Sequence, residues 1–244
     1  MTDNQLINLN QSYFTDQIIT YLGNKRKLLS HINLAIEEIK LNLNKNYINS
    51  FDGFSGSGVI SRLLKLHSNK LIVNDLEYYC YVINKCYLSN LDATQINEIK
   101  DKIDYLNSER KNYNKKGFIE KLYCSENDDN IQVGERLFFT NENGKIIDHL
   151  RSLIKDDDYY SLSSLLYKVS VHNNTSGVFK GFYKDTETNK GQFGGNAKNA
   201  LKRITKTIEL SYPIFFKNQC QTIVKQKDTN ILVKDIENEN IDIT

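Results

Sequence analysis

The sequence is nearly free of proline: Pro213 is the only one in 244 residues. No Pro-Pro step exists in it, so chemistry built on such a rigid pair has no place among these residues. Tryptophan is absent and methionine occurs once. The four cysteines, Cys80, Cys86, Cys124 and Cys220, are scattered and form no C-x-x-C pair. That excludes a disulfide framework and a zinc ribbon, and it reads as free thiols in a reducing, cytoplasmic compartment. The four histidines, His31, His67, His149 and His172, form no H-x-H or H-x-x-x-H cluster, so they read as structural and no metal is expected. No apolar run approaches the roughly 20 residues of a membrane span. The stretch from Met1 to Gln11 is polar and lacks the apolar core of a signal peptide.

What is present fits a globular chain of one large domain, or a core domain with an insertion. Hydrophobic residues make up 39% and charged residues 25%, which excludes a disordered chain. The net charge of +2 hides a strong asymmetry. Residues 180–206 hold seven basic and two acidic side chains, whereas residues 126–158 hold nine acidic and four basic. The last ten residues hold four acids and no base.

Apolar spacing predicts an amphipathic helix over 25–43, a short strand over 46–51, a helix over 59–66, a strand over 70–75 and a further helical pattern over 76–91. Strand, glycine turn, helix, strand and helix together open an α/β domain with a parallel sheet. From about Asn107 the composition turns polar, with helices expected over 145–154 and 159–169. A glycine-rich polar loop follows at 184–196, then a basic helix over 197–210. "TIVKQKD" and "NILVKDI" read as two short strands, or one strand and a turn, returning to the sheet.

The stretch "FDGFSGSGVISRLL", from Phe51 to Leu64, places three of twelve glycines within six residues. A glycine turn between strand and helix lets backbone approach a ligand and leaves helix N–H groups free. The dinucleotide pattern G-x-G-x-x-G would need glycine at position 61, which is Ser61. Asp52 ends the first strand and Asp75 the second, where an acid can accept from ribose hydroxyls. An acid beside the turn suits a cationic or amine-bearing ligand better than a pyrophosphate. S-adenosylmethionine, with its sulfonium and ammonium, is favoured over NAD on that ground.

Asp52-Gly53-Phe54-Ser55-Gly56-Ser57-Gly58 resembles the D-x-F-x-G-x-G signature of Dam-like, α-class N6-adenine DNA methyltransferases. Tyr21-Leu22-Gly23-Asn24-Lys25 resembles the Y-x-G-x-K segment that precedes it. Asn74-Asp75 matches the acidic end of the second strand. Residues Val171 to Phe179 resemble the "N-T-x-G" stretch of many members, and Lys234-Asp235 resembles the acid near the cofactor adenine. The matches fall in the family's order and span nearly the whole chain. The resemblance implies a Rossmann-like S-adenosylmethionine-dependent methyltransferase sheet, incomplete in this chain, with a mainly helical DNA-recognition insertion. It implies that Tyr21, Gly23 and Lys25 flank the methionine end of the cofactor. Asp52, Phe54, Gly56 and Gly58 would floor the pocket, Asp75 would hold the ribose, and Asp235 would lie near the adenine. The implied division is 1–106 for cofactor binding, 107–216 for target recognition and 217–244 for the return strands.

Methyl transfer to N6 of adenine needs acceptors for the N6–H bonds and a flipped base stacked on an aromatic ring. The family supplies these with Asp/Asn-Pro-Pro-Tyr/Phe, which these residues lack, so no catalytic residue is assigned. Three accounts stand: a subunit of a split enzyme, a truncated form, or a degenerate relative that binds without methylating. A second polypeptide carrying Asp-Pro-Pro-Tyr would complete the sheet as a heterodimer partner, since an unpaired edge is normally covered. For double-stranded DNA the expected contacts are Asn173, Asn174, Thr175, Lys180, Lys184, Lys198, Lys202 and Arg203, with lysines neutralising phosphates and a buried hydrogen-bonding role left open for Asn173, Asn174 and Thr175. The leading reading is thus a site-specific adenine methyltransferase of a restriction-modification system. The competing readings are a non-catalytic DNA-binding module and an NAD-type oxidoreductase.

Overall fold

The computed structural model describes residues 11–19, 23, 25–175, 181–195, 198, 200–236 and 240–244. The chain divides into two compact units, one made of residues 1–96 with 213–244 and the other of residues 97–212.

The first unit is α/β, as the strand–turn–helix pattern predicts. It contains α1 (Gln11–Thr15), a 3-10 turn (Arg26–Leu28), α2 (Leu29–Asn42), β1 (Ile48–Asp52), α3 (Val59–His67), β2 (Ser68–Asn74) and α4 (Tyr78–Tyr87). Helix α5 (Ala93–Glu109) spans the division between the units. After the second unit come β3 (Gln221–Lys225) and α10 (Thr229–Asp235). The strands form one parallel sheet in the order β1-β2-β3, with Asp52 beside Val73 and Asn74 beside Lys225. On the free side of β1, Ile243 makes a parallel bridge to Ser50. There Phe51 N–H donates to the Ile243 carbonyl at 2.9 Å.

Alternation along the strands sends residues to two covered faces, as a parallel sheet requires. Leu71 and Val73 pack with Ile36, Leu63, Leu64 and Leu88. Phe51 and Ile72 pack with Leu232 on the opposite side. Helix α3 is buried along almost its whole length, including Arg62, Lys65 and His67. Such charges survive burial only with partners. The Arg62 guanidinium donates to the Tyr13 carbonyl and, at 3.3 Å, to the Gly58 carbonyl. Lys65 Nζ donates to the carbonyls of Phe216 at 2.6 Å and Ser89 at 3.1 Å.

The second unit carries α6 (Phe118–Tyr123), α7 (Asn141–Leu153), α8 (Tyr159–His172) and α9 (Leu201–Thr205). Thr140 caps α7 by accepting from the Asn143 N–H, and Asp158 caps α8 by accepting from Ser161 N–H.

Three elements differ from the sequence expectation. "NILVKDI" is helical, because the Asp228 side chain accepts from the Asn230 N–H at 2.7 Å and starts α10. Its β-branched Ile231 and Val233 are exposed, while Leu232 is buried. The expected basic helix shortens to Leu201–Thr205. Asn143 draws off the chain beyond it, donating to the Lys206 carbonyl at 3.1 Å and accepting from Ile208 N–H at 2.9 Å. Helix α5 was not expected at this length. Its start is a reciprocal capping box, with Asp92 and Gln95 each bonding the other's backbone N–H.

Candidate cofactor site

Because the sheet is parallel, the carboxyl ends of its strands share one edge, where ligands bind in open α/β sheets. The glycine turn sits at that edge, between β1 and α3. Gly56 and Gly58 have φ of 51° and 73°, a left-handed backbone that glycine adopts without steric cost. The turn is held by backbone hydrogen bonds: Ser55 N–H donates to the Asn74 carbonyl at the end of β2 and Gly58 N–H to the Ser55 carbonyl.

Two carboxylates meet this turn from adjacent strands. Asp75, just past β2, accepts from Gly56 N–H at 2.7 Å through Oδ2 and from Glu77 N–H at 3.0 Å through Oδ1. Asp52, the last residue of β1, accepts from Ser61 Oγ at 2.6 Å. Burial pushes the Asp52 carboxyl above its usual range. Hydrogen bonds from Ser61 and the Phe54 backbone oppose that rise, and the Asp75 charge adds to it. Ser61, which breaks the dinucleotide pattern, is therefore the hydroxyl that orients Asp52. Phe54, between the acids and the turn, is 82% exposed and forms a projecting wall rather than a floor.

The sheet, the glycine turn and the order of these segments coincide with one family model, D12 class N6 adenine-specific DNA methyltransferase, which matches residues 21–235. The chain belongs to that family. Among curated relatives of this D12-class chain, the type II methyltransferase M.NlaIII of Neisseria lactamica is 28% identical over 89% of the chain and 61% of its own length. The modification methylase LlaI of Lactococcus lactis is 27% identical over 88% of the chain and 33% of its own length. The type II methyltransferase M.CviAII of Paramecium bursaria Chlorella virus 1 is 30% identical over 76% of the chain and 52% of its own length. The chain thus spans between a third and about three fifths of these relatives. No solved structure matches it.

The other expected cofactor residues of this D12-class chain do not all gather at the turn. Gly23 (φ 78°) and exposed Lys25 stand together just before the 3-10 turn. Tyr21 lies outside the described residues. Asp235 ends α10, exposed, and forms an ion pair with Lys227 at 2.8 Å.

In the second unit, Asn173, Asn174 and Thr175 are buried. Asn174 donates through Nδ2 to the Leu137 and Gln192 carbonyls and accepts from Gly194 N–H, so it ties three strands of loop together. Arg203 is spent on carbonyls: its guanidinium donates to those of Val171 and, at 2.9 Å, Asn173. Lys184, Lys198 and Lys202 are exposed, and Lys180 lies outside the described residues. Lys184 belongs to a short hairpin in which Lys184 bridges Gly191 and Asp185 closes the turn by accepting from Thr188 N–H at 2.7 Å.

Two residues that matter here, Thr229 and Asp228, escaped the sequence reading, and a third, Asn74, was read only as part of the acidic end of the second strand. Buried Asn74 donates to the Lys227 carbonyl at 2.9 Å and to Thr229 Oγ1 at 3.0 Å. Thr229 in turn donates to the Gly53 carbonyl at 2.7 Å, so the loop after β3 is latched to the turn after β1. Asp228, exposed in that loop, is a third acid near a strand end, three residues past β3 where Asp52 closes β1 and Asp75 directly follows β2. Among the described residues no helix is long and apolar enough to cross a membrane, and no group of acids, histidines and cysteines could hold a metal.

Proposed function

We propose that this chain holds the cofactor-binding and DNA-reading parts of a restriction-modification adenine methyltransferase that uses S-adenosylmethionine. One observation carries the reading: carboxylates from two neighbouring strand ends flank a turn of left-handed glycines at the carboxyl edge of the parallel sheet. Asp75, held by two backbone N–H groups, keeps lone pairs for ribose hydroxyls. Asp52 supplies the negative charge that an ammonium or sulfonium needs. Exposed Phe54 and Leu76 offer apolar surface to a nucleobase. When bound, S-adenosylmethionine supplies an electrophilic methyl group; the chain's own part is to fix its ribose and amino-acid ends and to keep them apart from water.

The DNA-facing residues in this reading are Lys184, Lys198 and Lys202, which reach solvent, with Asn173, Asn174, Thr175 and Arg203 behind them as scaffold. Pro213 being the only proline, the acceptor for adenine N6–H and the stacking ring come from residues outside these 244, on the same or a second polypeptide. A DNA-binding module without catalysis is the second reading, favoured by the same proline count.

Calorimetry with S-adenosylmethionine and with NAD tests the cofactor. Binding of the first alone is expected; binding of NAD alone overturns the proposal. Methyl transfer to adenine by a polypeptide that includes an Asp-Pro-Pro-Tyr segment separates the enzyme from the module.

A further inference from the structure

Asn84 sits on α4, 1% exposed, on the helix face turned to the glycine turn. Its Nδ2 donates to Ser55 Oγ at 3.0 Å, to the Gly56 carbonyl at 3.3 Å and to the Cys80 carbonyl of its own helix at 2.9 Å. The two carbonyls facing one nitrogen fix which way round the amide lies, since a flipped oxygen would face both of them. The oxygen Oδ1 is buried without a hydrogen-bond partner. It lies against Gly58, where any Cβ would collide with it. An unpaired buried acceptor is destabilising, so this arrangement has to be held by what Nδ2 gains.

The consequence runs through Gly56. Its carbonyl is held by Asn84 and its N–H by Asp75 Oδ2. The residue is thus pinned on both sides, and the direction of its N–H decides where the Asp75 carboxylate points. We infer that Asn84 is a positioning residue for ribose recognition: it never touches cofactor, and it sets the orientation of Asp75 by locking the Gly56 backbone. The inference rests on the S-adenosylmethionine reading above.

The test compares S-adenosylhomocysteine with its 2′-deoxy and 3′-deoxy analogues by calorimetry, on the wild-type chain and on Asn84→Ala and Asn84→Leu. Asn84→Leu keeps the shape but cannot donate to the Gly56 carbonyl. A hydrogen bond from a hydroxyl to a carboxylate is worth roughly tenfold to a hundredfold in affinity. The wild type should lose that factor with at least one deoxy analogue. In both variants, each shown to be folded by a cooperative thermal melt, the loss should shrink to about threefold or less. A purely structural Asn84 would weaken all three ligands equally, and that outcome, or unchanged affinities in both variants, overturns the inference. A wild type that binds none of the three ligands overturns instead the cofactor reading beneath it.

Discussion

Lys65 offers the sharpest physical check on the scaffold beneath the glycine turn. It lies on α3, the helix that the turn begins, and no surface of it reaches water. Its ammonium meets two carbonyls, at Phe216 and Ser89, and no carboxylate. Burial therefore pushes its pKa from 10.5 down to about 8, with Cys220 nearby acting weakly the other way. The folded state sheds this proton first as pH rises, so the unfolded state holds more protons and stability increases with pH between about 8 and 10.5. Over the full window the gain is roughly 3 kcal/mol. Between pH 7 and pH 9 it amounts to about 1.3 kcal/mol.

Other groups hide this in the wild type. Burial holds Cys80, Cys124 and Cys220 at about 12, so their thiols ionise first in the unfolded chain and stability falls above pH 9. The comparison with Lys65→Met removes Cys80 and Cys124, which are common to both proteins, and leaves only the Cys220 thiol, which the Lys65 charge favours ionising, to differ. The variant also strands two buried carbonyls, a loss of about 1 to 3 kcal/mol each, offset in part by burying no charge. That constant offset is not the readout. Urea unfolding under reducing conditions at pH 7 and pH 9 should show the wild type gaining about 1.3 kcal/mol on Lys65→Met between the two. Parallel pH profiles would refute the buried, unpaired ammonium.

Asp52→Asn should act oppositely on stability and binding. A carboxyl whose folded pKa is raised stabilises the fold when protonated, and that stability is lost as pH climbs from 3.8 through the folded value. The amide variant should therefore be flatter with pH in that window and at least as stable at pH 7. It should also bind S-adenosylmethionine more weakly; tighter binding would remove the charge argument. Gly58→Ala meets left-handed backbone and Asn84 Oδ1 together. The backbone alone is worth about 1–2 kcal/mol, so the thermal midpoint should drop by roughly 2–8 °C, and no drop would contradict the turn geometry. Glutamine at Lys184, Lys198 or Lys202 should each reduce the salt slope of DNA binding by about one. Arg203→Gln should lower stability instead, since it abandons the carbonyls at the end of α8; a salt-slope change with normal stability would return Arg203 to the DNA face.

The sheet was legible because β2 has an apolar run closed by an acid, β1 ends in an acid and a glycine turn, and the helices flanking them carry apolar residues at helical spacing. What misled the reading near residue 230 was composition. Ile231, Leu232 and Val233 have strand propensity, yet one acid at the right place, Asp228, outweighs it by capping the first free N–H groups of a helix. The asparagines of the second unit stayed open between DNA contact and a buried hydrogen-bonding role for a related reason. An Asn-Asn-Thr run looks like a polar surface, whereas Asn174 satisfies every polar atom internally and becomes a knot between loops that lack regular hydrogen bonding. Local pattern reports what a residue could bond; only the fold decides which partner arrives.

The same logic explains why the turn's support was invisible while its glycines were not. A left-handed glycine announces itself, because few other residues tolerate that backbone. Its partner does not. Asn84 lies among Cys80, Val82, Ile83 and Cys86, all buried, and reads as an imperfection in an apolar helix face. Yet a polar side chain kept on such a face must gain hydrogen bonds to be tolerated. Here those bonds go to Ser55 and Gly56, and Asn74 secures the other side of the turn through Thr229 and Gly53. The turn is therefore gripped by two buried amides reaching from β2 and α4. Its glycines permit a conformation that those amides then select, and the orientation of Asp75 follows from that selection rather than from the acid itself.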